Sequence, residues 1–370
     1  MVNATAENET ESAVFQTKLE EYKKVIDADI AEYVEEIKDS TLREFGLHSR
    51  IAADVYCSIL QRGGKRLRGS LLMAGYEMCG GKNLSMIIKA ARAIEMIHAY
   101  ILIVDDFQDR SQVRRRGPTA HVMLAEYHQR HNLGQDSKHF GEAIAMNAAL
   151  AGNHDALIVL GKLEVDEKLR LKALEVVNHS MLVTAHGQTH DIFNEVVASV
   201  DEQEVEHVLE WKTAHYSFLN PLHVGMILAG ADQHTITSVV DYAMQAGMAF
   251  QITDDMVGVF GEEFESGKSP MDDMKEGKRT LLTVYALEHA APADKNFLIQ
   301  MLGNHNLTQS EFKRCKDILI EAGALNYARK RAEAHISQAL KALDKHPGRW
   351  SQEGEQFLRG LCHYILIRTS

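Results

Sequence analysis

Proline is scarce in this chain, with five among 370 residues. Each proline removes a backbone donor and clashes inside a helix, so their scarcity leaves room for long helices. Hairpin signals are missing altogether: no Asn-Gly or Asp-Gly pair separates alternating apolar runs. Cysteine is also sparse. Cys57, Cys79, Cys315 and Cys362 form no C-x-x-C pair, which excludes a zinc ribbon or a thioredoxin-like motif. They read as reduced thiols of a cytoplasmic protein, and a chain of this length can bury a core without covalent staples. Positive charge is in deficit, 40 Lys and Arg against 52 Asp and Glu, a net −12. That excludes the broad basic surface needed for non-specific nucleic-acid binding, while local basic clusters can still hold phosphates. The opening MVNATAENETESAVF lacks the basic start and apolar run of a signal peptide. Apolar runs read as shorter than the roughly 20 residues of a membrane span. A soluble cytoplasmic protein with a flexible segment over residues 1–12 is expected.

Helical periodicity is abundant. Between Leu84 and Val104, residues Ile87, Ile88, Ala91, Ile94, Ile97, His98 and Ile101 recur at helix spacing. Similar patterns cover 11–39, 138–161, 165–197, 200–230, 234–260 and 322–345. Breaks are expected at Gly63-Gly64, Gly80-Gly81, Gly117-Pro118, Gly152-Asn153, Gly267 to Pro270, Pro292 and Pro347-Gly348. No composition shift or short-period repeat divides the chain, so residues 13–370 are predicted to form a single all-α domain.

Two acidic clusters stand at the ends of apolar helices. Asp105-Asp106-Phe107-Gln108-Asp109 ends the run from Ile94 to Val104. Asp105 and Asp109 share a helix face one turn apart, and Asp106 lies about 100° round the axis. Three carboxylates this close are costly without a cation. Mg²⁺ suits them, because it takes one or two carboxylates and shares substrate phosphates. Asp254-Asp255 ends a second apolar run, Ala243 to Ile252. Each pair, taken alone, also reads as solvated surface charge.

Basic clusters answer them. Gly63-Gly64-Lys65-Arg66-Leu67-Arg68 opens a helix, and Lys65 and Arg68 share a face. Arg114-Arg115-Arg116 follows the first acidic cluster, and arginine forks bind diphosphate oxygens in a bidentate way. Lys212, Thr213, Gln251, Lys268 and Lys278 complete the set. Each reads by itself as a solvated side chain, and their weight comes from the ensemble.

The ensemble resembles the trans-isoprenyl diphosphate synthase family, short-chain type. The resemblance runs from about Gly63 to Lys278. It comprises Gly64 to Arg68, His98, the DDxxD at 105–109, Arg114-Arg115 with Pro118-Thr119, and Gly187-Gln188 with Asp191. Lys212-Thr213, Phe250-Gln251 with Asp254-Asp255, Gly267-Lys268 and Gly277-Lys278 follow. It implies a single helical bundle around a central cavity and a homodimer. Isopentenyl diphosphate and an allylic diphosphate would be the substrates, and three Mg²⁺ ions the cofactor.

By the same resemblance, Asp105, Asp109 and Asp254 hold metal, supported by Asp106 and Asp255. Arg114, Lys212 and Lys268 clamp the allylic diphosphate, and Lys65, Arg68, His98 and Arg115 hold isopentenyl diphosphate. Lys278 is a further substrate-binding lysine. Lys212, Thr213 and Gln251 lie near the carbocation. Tyr100 and Ile101 form the floor that limits the product to about C15 to C20 by family analogy. The pattern departs from the family at Gly258, which replaces the usual last aspartate of the second motif, at Val104 and at Gly152-Asn153.

Two other readings carry different marks. A class I terpene cyclase shares fold and DDxxD but needs no second diphosphate site, so Lys65, Arg68 and Arg115 speak against it. A non-catalytic partner subunit typically loses an acidic motif, and this chain keeps both. His186 and His190 have zinc-pair spacing, but no Glu and no third ligand complete an H-E-x-x-H pattern.

Overall fold

A computed structural model describes residues 2–261 and 270–367, with side chains from residue 10 onward. Helices dominate, as the scarcity of proline predicts. The first, α1, spans Val2–Gln61 and bends at Gly46, whose φ of 80° is non-helical. Next come α2 (Leu67–Met78), α3 (Leu84–Gln108), α4 (Ala120–Arg130), α5 (Ser137–Gly161) and α6 (Glu167–Val196). A continuous rod then runs through α7 (Glu202–Val208), a π-helical stretch (Leu209–Leu219) and α8 (Asn220–Leu228). It is followed by α9 (Gln233–Thr237) and α10 (Val240–Phe260). Past residue 270 lie α11 (Asp272–Glu276), α12 (Leu281–His289), α13 (Pro292–Met301), α14 (Gln309–Glu321), α15 (Ala324–Asp344) and α16 (Gln352–Ile367).

The main core gathers the apolar faces of α1, α2, α3, α5, α8 and α16 with the first half of α10. A smaller core joins α7 and the second half of α10 to α11–α15. The acidic ends of α3 and α10 lie along the same cavity, between these two cores.

Three local expectations need correction. Gly152 does not break α5. It sits inside the helix because a Cβ there would lie 2.1 Å from the Tyr56 ring. A hairpin does exist: Val113–Arg114 (β1) pairs antiparallel with Gly117–Pro118 (β2). Finally, α5 is apolar and long enough to cross a membrane by length and composition, with 39% of that stretch buried in the fold. Its alanine-rich sequence is explained by close packing on α3 and α4.

Candidate active site

α3 delivers the first acidic cluster. Asn83 caps its start by accepting the Met86 amide. Its end is a Schellman closure, in which Ser111 N–H bonds the Asp106 carbonyl and Arg110 N–H the Phe107 carbonyl. Arg110, at φ 51°, takes the place glycine usually fills. The stop leaves Asp105 and Asp109 in the lining of a cavity of about 440 Å³. Asp106 turns away from it, fully buried, and accepts Arg114 Nε at 2.8 Å. Arg114 Nη2 also reaches Asp105 Oδ2 at 3.1 Å. Burial works against the Arg114 charge, but Asp106 and Asp105 outweigh it and hold the guanidinium above its ordinary range.

The hairpin aims this arginine. Its two turn residues, Arg115 and Arg116, have φ of 51° and 62°. Positive φ at both positions is the pattern of a type I′ turn, which favours Asn-Gly. An arginine there costs about 1–2 kcal/mol, which is why no turn signal was visible. Arg115 folds back to donate to the Gly63 carbonyl. A Cβ on Gly64 would lie 2.8 Å from Arg115 Nη2, so that glycine makes room for the guanidinium.

Gly187 brings α6 against the π-helical stretch, since a Cβ there would lie 2.4 Å from the Lys212 nitrogen. One turn further on, Asp191 accepts Lys212 Nζ at 2.6 Å and Lys278 Nζ at 3.0 Å. Lys212 also approaches Asp105 at 3.4 Å. Lys278, 8% exposed, reaches Asp109 at 3.0 Å and Glu195 at 2.9 Å. Burial would raise the Asp191 carboxyl, but the two lysines hold it below its ordinary value. The wide π turn places Lys212 and Thr213 in the lining, as such turns often do at functional sites.

α10 supplies the facing wall with Gln251, Asp254 and Asp255. Thr213 donates to Gln251 Oε1 at 2.8 Å, and Gln251 Nε2 donates to Asp255 Oδ1 at 2.7 Å. Burial and then the Asp273 carboxylate push Asp255 well above the usual carboxylate range. A Cβ on Gly258 would lie 3.2 Å from Asp273 Oδ2. A carboxylate from α11 thus approaches the place where the second motif lacks its last aspartate. Lys268 lies outside the described residues.

A second cationic group lines the same cavity: Lys65, Arg68, His98 and Arg115. Arg68 Nη1 lies 3.1 Å from His98 Nε2, and Arg68 Nη2 donates to Ser217 Oγ at 2.6 Å. Burial and the Arg68 charge push His98 well below its ordinary value. The ring is therefore neutral, with Nε2 accepting and the proton on Nδ1, which has no protein partner among the described residues. Burial also pulls Arg115 down to about 10. The loop is anchored by Arg66 in the left-handed region at φ 50°, its Nε 2.7 Å from Asp27 and its Nη2 on the Leu60 carbonyl at 2.8 Å. Glu95 accepts the Gly69 amide at 2.9 Å.

Tyr100 and Ile101 pack half-buried against the main core, outside the lining of this cavity. His186 is exposed on α6, and His190 bonds Glu204 at 3.2 Å. Sequence reasoning gave no role to Asp191, Asp273, Arg66 or Glu95. Asp191 and Arg66 did stand in recognised motifs, one a helical turn after Gly187 and the other between Lys65 and Arg68.

Among the described residues no three carboxylate, imidazole or thiol groups converge on a ready-made metal shell. Asp105 and Asp109 on one wall and Asp254 on the other are hard oxygen donors along one cavity. Such a set fits an ion whose shell substrate phosphates complete.

Comparison with known proteins agrees with this geometry. The family model for polyprenyl synthetase matches residues 49–319. A geranylgeranyl diphosphate synthase of Saccharolobus solfataricus is 30% identical over 306 residues, 83% of this chain and 87% of that one. A geranylfarnesyl diphosphate synthase of Aeropyrum pernix is 29% identical, over 84% and 92% of the two chains. Among solved structures, geranylgeranyl pyrophosphate synthase from Corynebacterium glutamicum, complexed with isoprenyl diphosphate and magnesium, superposes with a TM-score of 0.90. It is 27% identical, and the match covers 95% of this chain and 99% of that one. A family match over most of the chain, carried by residues that meet in one cavity, places the protein in the polyprenyl synthetase family.

Proposed function

We propose that this enzyme joins isopentenyl diphosphate to an allylic diphosphate, giving a trans-prenyl diphosphate of about C15 to C20 by family analogy. One observation carries the reading: a single cavity holds two acidic helix ends and two separate cationic groups. Arg114 and Lys212 lie among the aspartates, while Lys65, Arg68, His98 and Arg115 form the second group. Two anionic tails need two such groups, whereas a terpene cyclase needs one.

Asp105, Asp109 and Asp254 would hold Mg²⁺, as three ions, which supplies Lewis acidity to the departing diphosphate. Arg114 and Lys212 are fixed cations beside that leaving group, already charged and oriented before substrate arrives. Lys268 and Lys278 complete the clamp. Thr213 spends its proton on Gln251, so its oxygen lone pairs are left to face an allylic cation. Apolar Leu102, Val208, Leu209 and Phe250 in the same lining keep water from that cation. The neutral His98 offers Nδ1–H to the second diphosphate.

Tyr100 and Ile101, one turn before Asp105 on α3, would limit chain growth, and Tyr100→Ala is expected to lengthen the product. An unchanged product profile would refute that assignment. The neighbouring helices α5 and α6 expose Leu150, Ile158, Leu182 and Phe193, each more than half accessible. A second copy would cover this face, giving a homodimer that sedimentation can check. A cytoplasmic setting follows from the reduced thiols. The decisive assay incubates pure protein with Mg²⁺, isopentenyl diphosphate and each allylic primer, then separates products by chromatography. Absence of any prenyl diphosphate product overturns the reading.

A further inference from the structure

We propose that Arg62 is a positioning residue, which clips the 113–118 hairpin from outside the cavity so that Arg114 and Arg115 stay aimed at the two diphosphate groups. The inference rests on the two-diphosphate reading above. Arg62 follows the last residue of α1 and is absent from the cavity lining. Its Nη1 donates to the Pro118 carbonyl at 2.5 Å and lies 3.4 Å from the Arg114 carbonyl. One nitrogen therefore bridges both strands of the hairpin. Nη2 points at Met123 Sδ, at 3.0 Å, near the start of α4. The guanidinium lies against Gly117, where a Cβ would come within 2.9 Å of Cζ and Nη1. Gly117 has no positive φ, so this close approach is what calls for a glycine.

The hairpin needs such a clip. It is two residues long on each side, and arginines fill both positive-φ positions of its turn. Backbone strain of this kind persists only where the surroundings over-determine it. The hairpin's other ties come from arginine side chains that substrate must recruit: Arg114 on Asp105 and on the buried Asp106, and Arg115 on the Gly63 carbonyl. Arg62 holds the hairpin by its backbone instead, so its grip can survive when the arginines turn to their ligands. It also hinges the hairpin to the Gly63-Gly64 loop, which carries Lys65. One residue thus couples Arg114, Arg115 and Lys65.

The test compares Arg62→Met, which keeps length but donates nothing, with Arg62→Lys, which can still reach the Pro118 carbonyl. Wild type and both variants are checked by circular dichroism and thermal melting. Binding of inorganic pyrophosphate with Mg²⁺ is then titrated calorimetrically, and steady-state kinetics are measured with each diphosphate varied in turn. The expected result is at least a tenfold rise for Arg62→Met in pyrophosphate Kd and in KM for isopentenyl diphosphate. kcat should fall less than threefold at saturation, and Arg62→Lys should recover most of the loss. Unchanged Kd and KM in Arg62→Met overturn the proposal. So does an Arg62→Lys variant no better than Arg62→Met, or a loss of kcat and both KM values together that tracks a lowered melting temperature. If wild type binds pyrophosphate but makes no prenyl product, the functional reading fails, and the calorimetric arm still decides the role of Arg62.

Discussion

The two acidic walls look alike in sequence but are balanced differently. On the α3 wall the carboxylates meet cations: Asp106 and Asp105 meet Arg114, Asp105 also meets Lys212, and Asp109 meets Lys278. On the α10 wall, Asp255 receives its hydrogen bond from the Gln251 amide and stands beside Asp273 and Asp254. The first wall is thus electrically closed by the protein's own lysines and arginines, which substrate must recruit away. On the second, the buried Asp255 meets a neutral amide donor and two like carboxyl groups, a crowding that costs stability. The second aspartate of the first motif is thus held by a cation, and that of the second motif by a neutral amide.

The largest expected effect tests whether the first wall works through its cavity-facing carboxylates. Asp105→Asn should lower kcat by at least about 100-fold, the scale of losing one preorganised electrostatic group, with helical content unchanged. Near-normal turnover would break the comparison at its first term.

A paired substitution sharpens it. The second aspartate of each motif, changed to asparagine, should move the stability of metal-free protein in opposite directions. Asp106→Asn leaves a buried Arg114 without its main counter-charge and should cost about 3–5 kcal/mol. Asp255→Asn removes a crowded carboxyl from beside Asp254 and Asp273 and should add about 1 kcal/mol. Denaturant melts of the two variants decide this. Shifts of the same sign would show that the walls are not differently balanced.

This asymmetry could not be read in the sequence. Helix spacing put Asp105 and Asp109 on one face, and local pattern located both acidic helices, because apolar periodicity survives in any helix with a buried side. What escaped notice depends on contacts between distant segments. Asp273 lies far from Gly258 in sequence, and only the fold sets its carboxylate 3.2 Å from where that Cβ would be. The hairpin escaped because Arg115 and Arg116 hold positive φ through tertiary ties rather than through turn chemistry. Gly152 misled because glycine signals equally a turn and a close approach, and here Tyr56 supplies the approach. The π-helical stretch carries no composition signal at all.

The smallest expected effect concerns the second cationic group, whose His98 lies on α3 two turns before Asp105. Burial and Arg68 depress His98 below its unfolded value of about 6.5. A depressed base contributes stability that is present above about pH 6.5 and is lost as pH falls through the folded value. His98→Gln keeps a neutral side chain able to accept from Arg68 and to donate, but it cannot titrate. Its melts should therefore lose part of the acid-side decline seen in wild type. KM for isopentenyl diphosphate should rise no more than about tenfold, since one neutral hydrogen bond is worth about 0.5–1.5 kcal/mol. If His98 were instead protonated and acting as a cation, the glutamine variant would lose far more binding, most of all at low pH. The second group would then depend on four charges rather than on Lys65, Arg68 and Arg115 around a neutral donor.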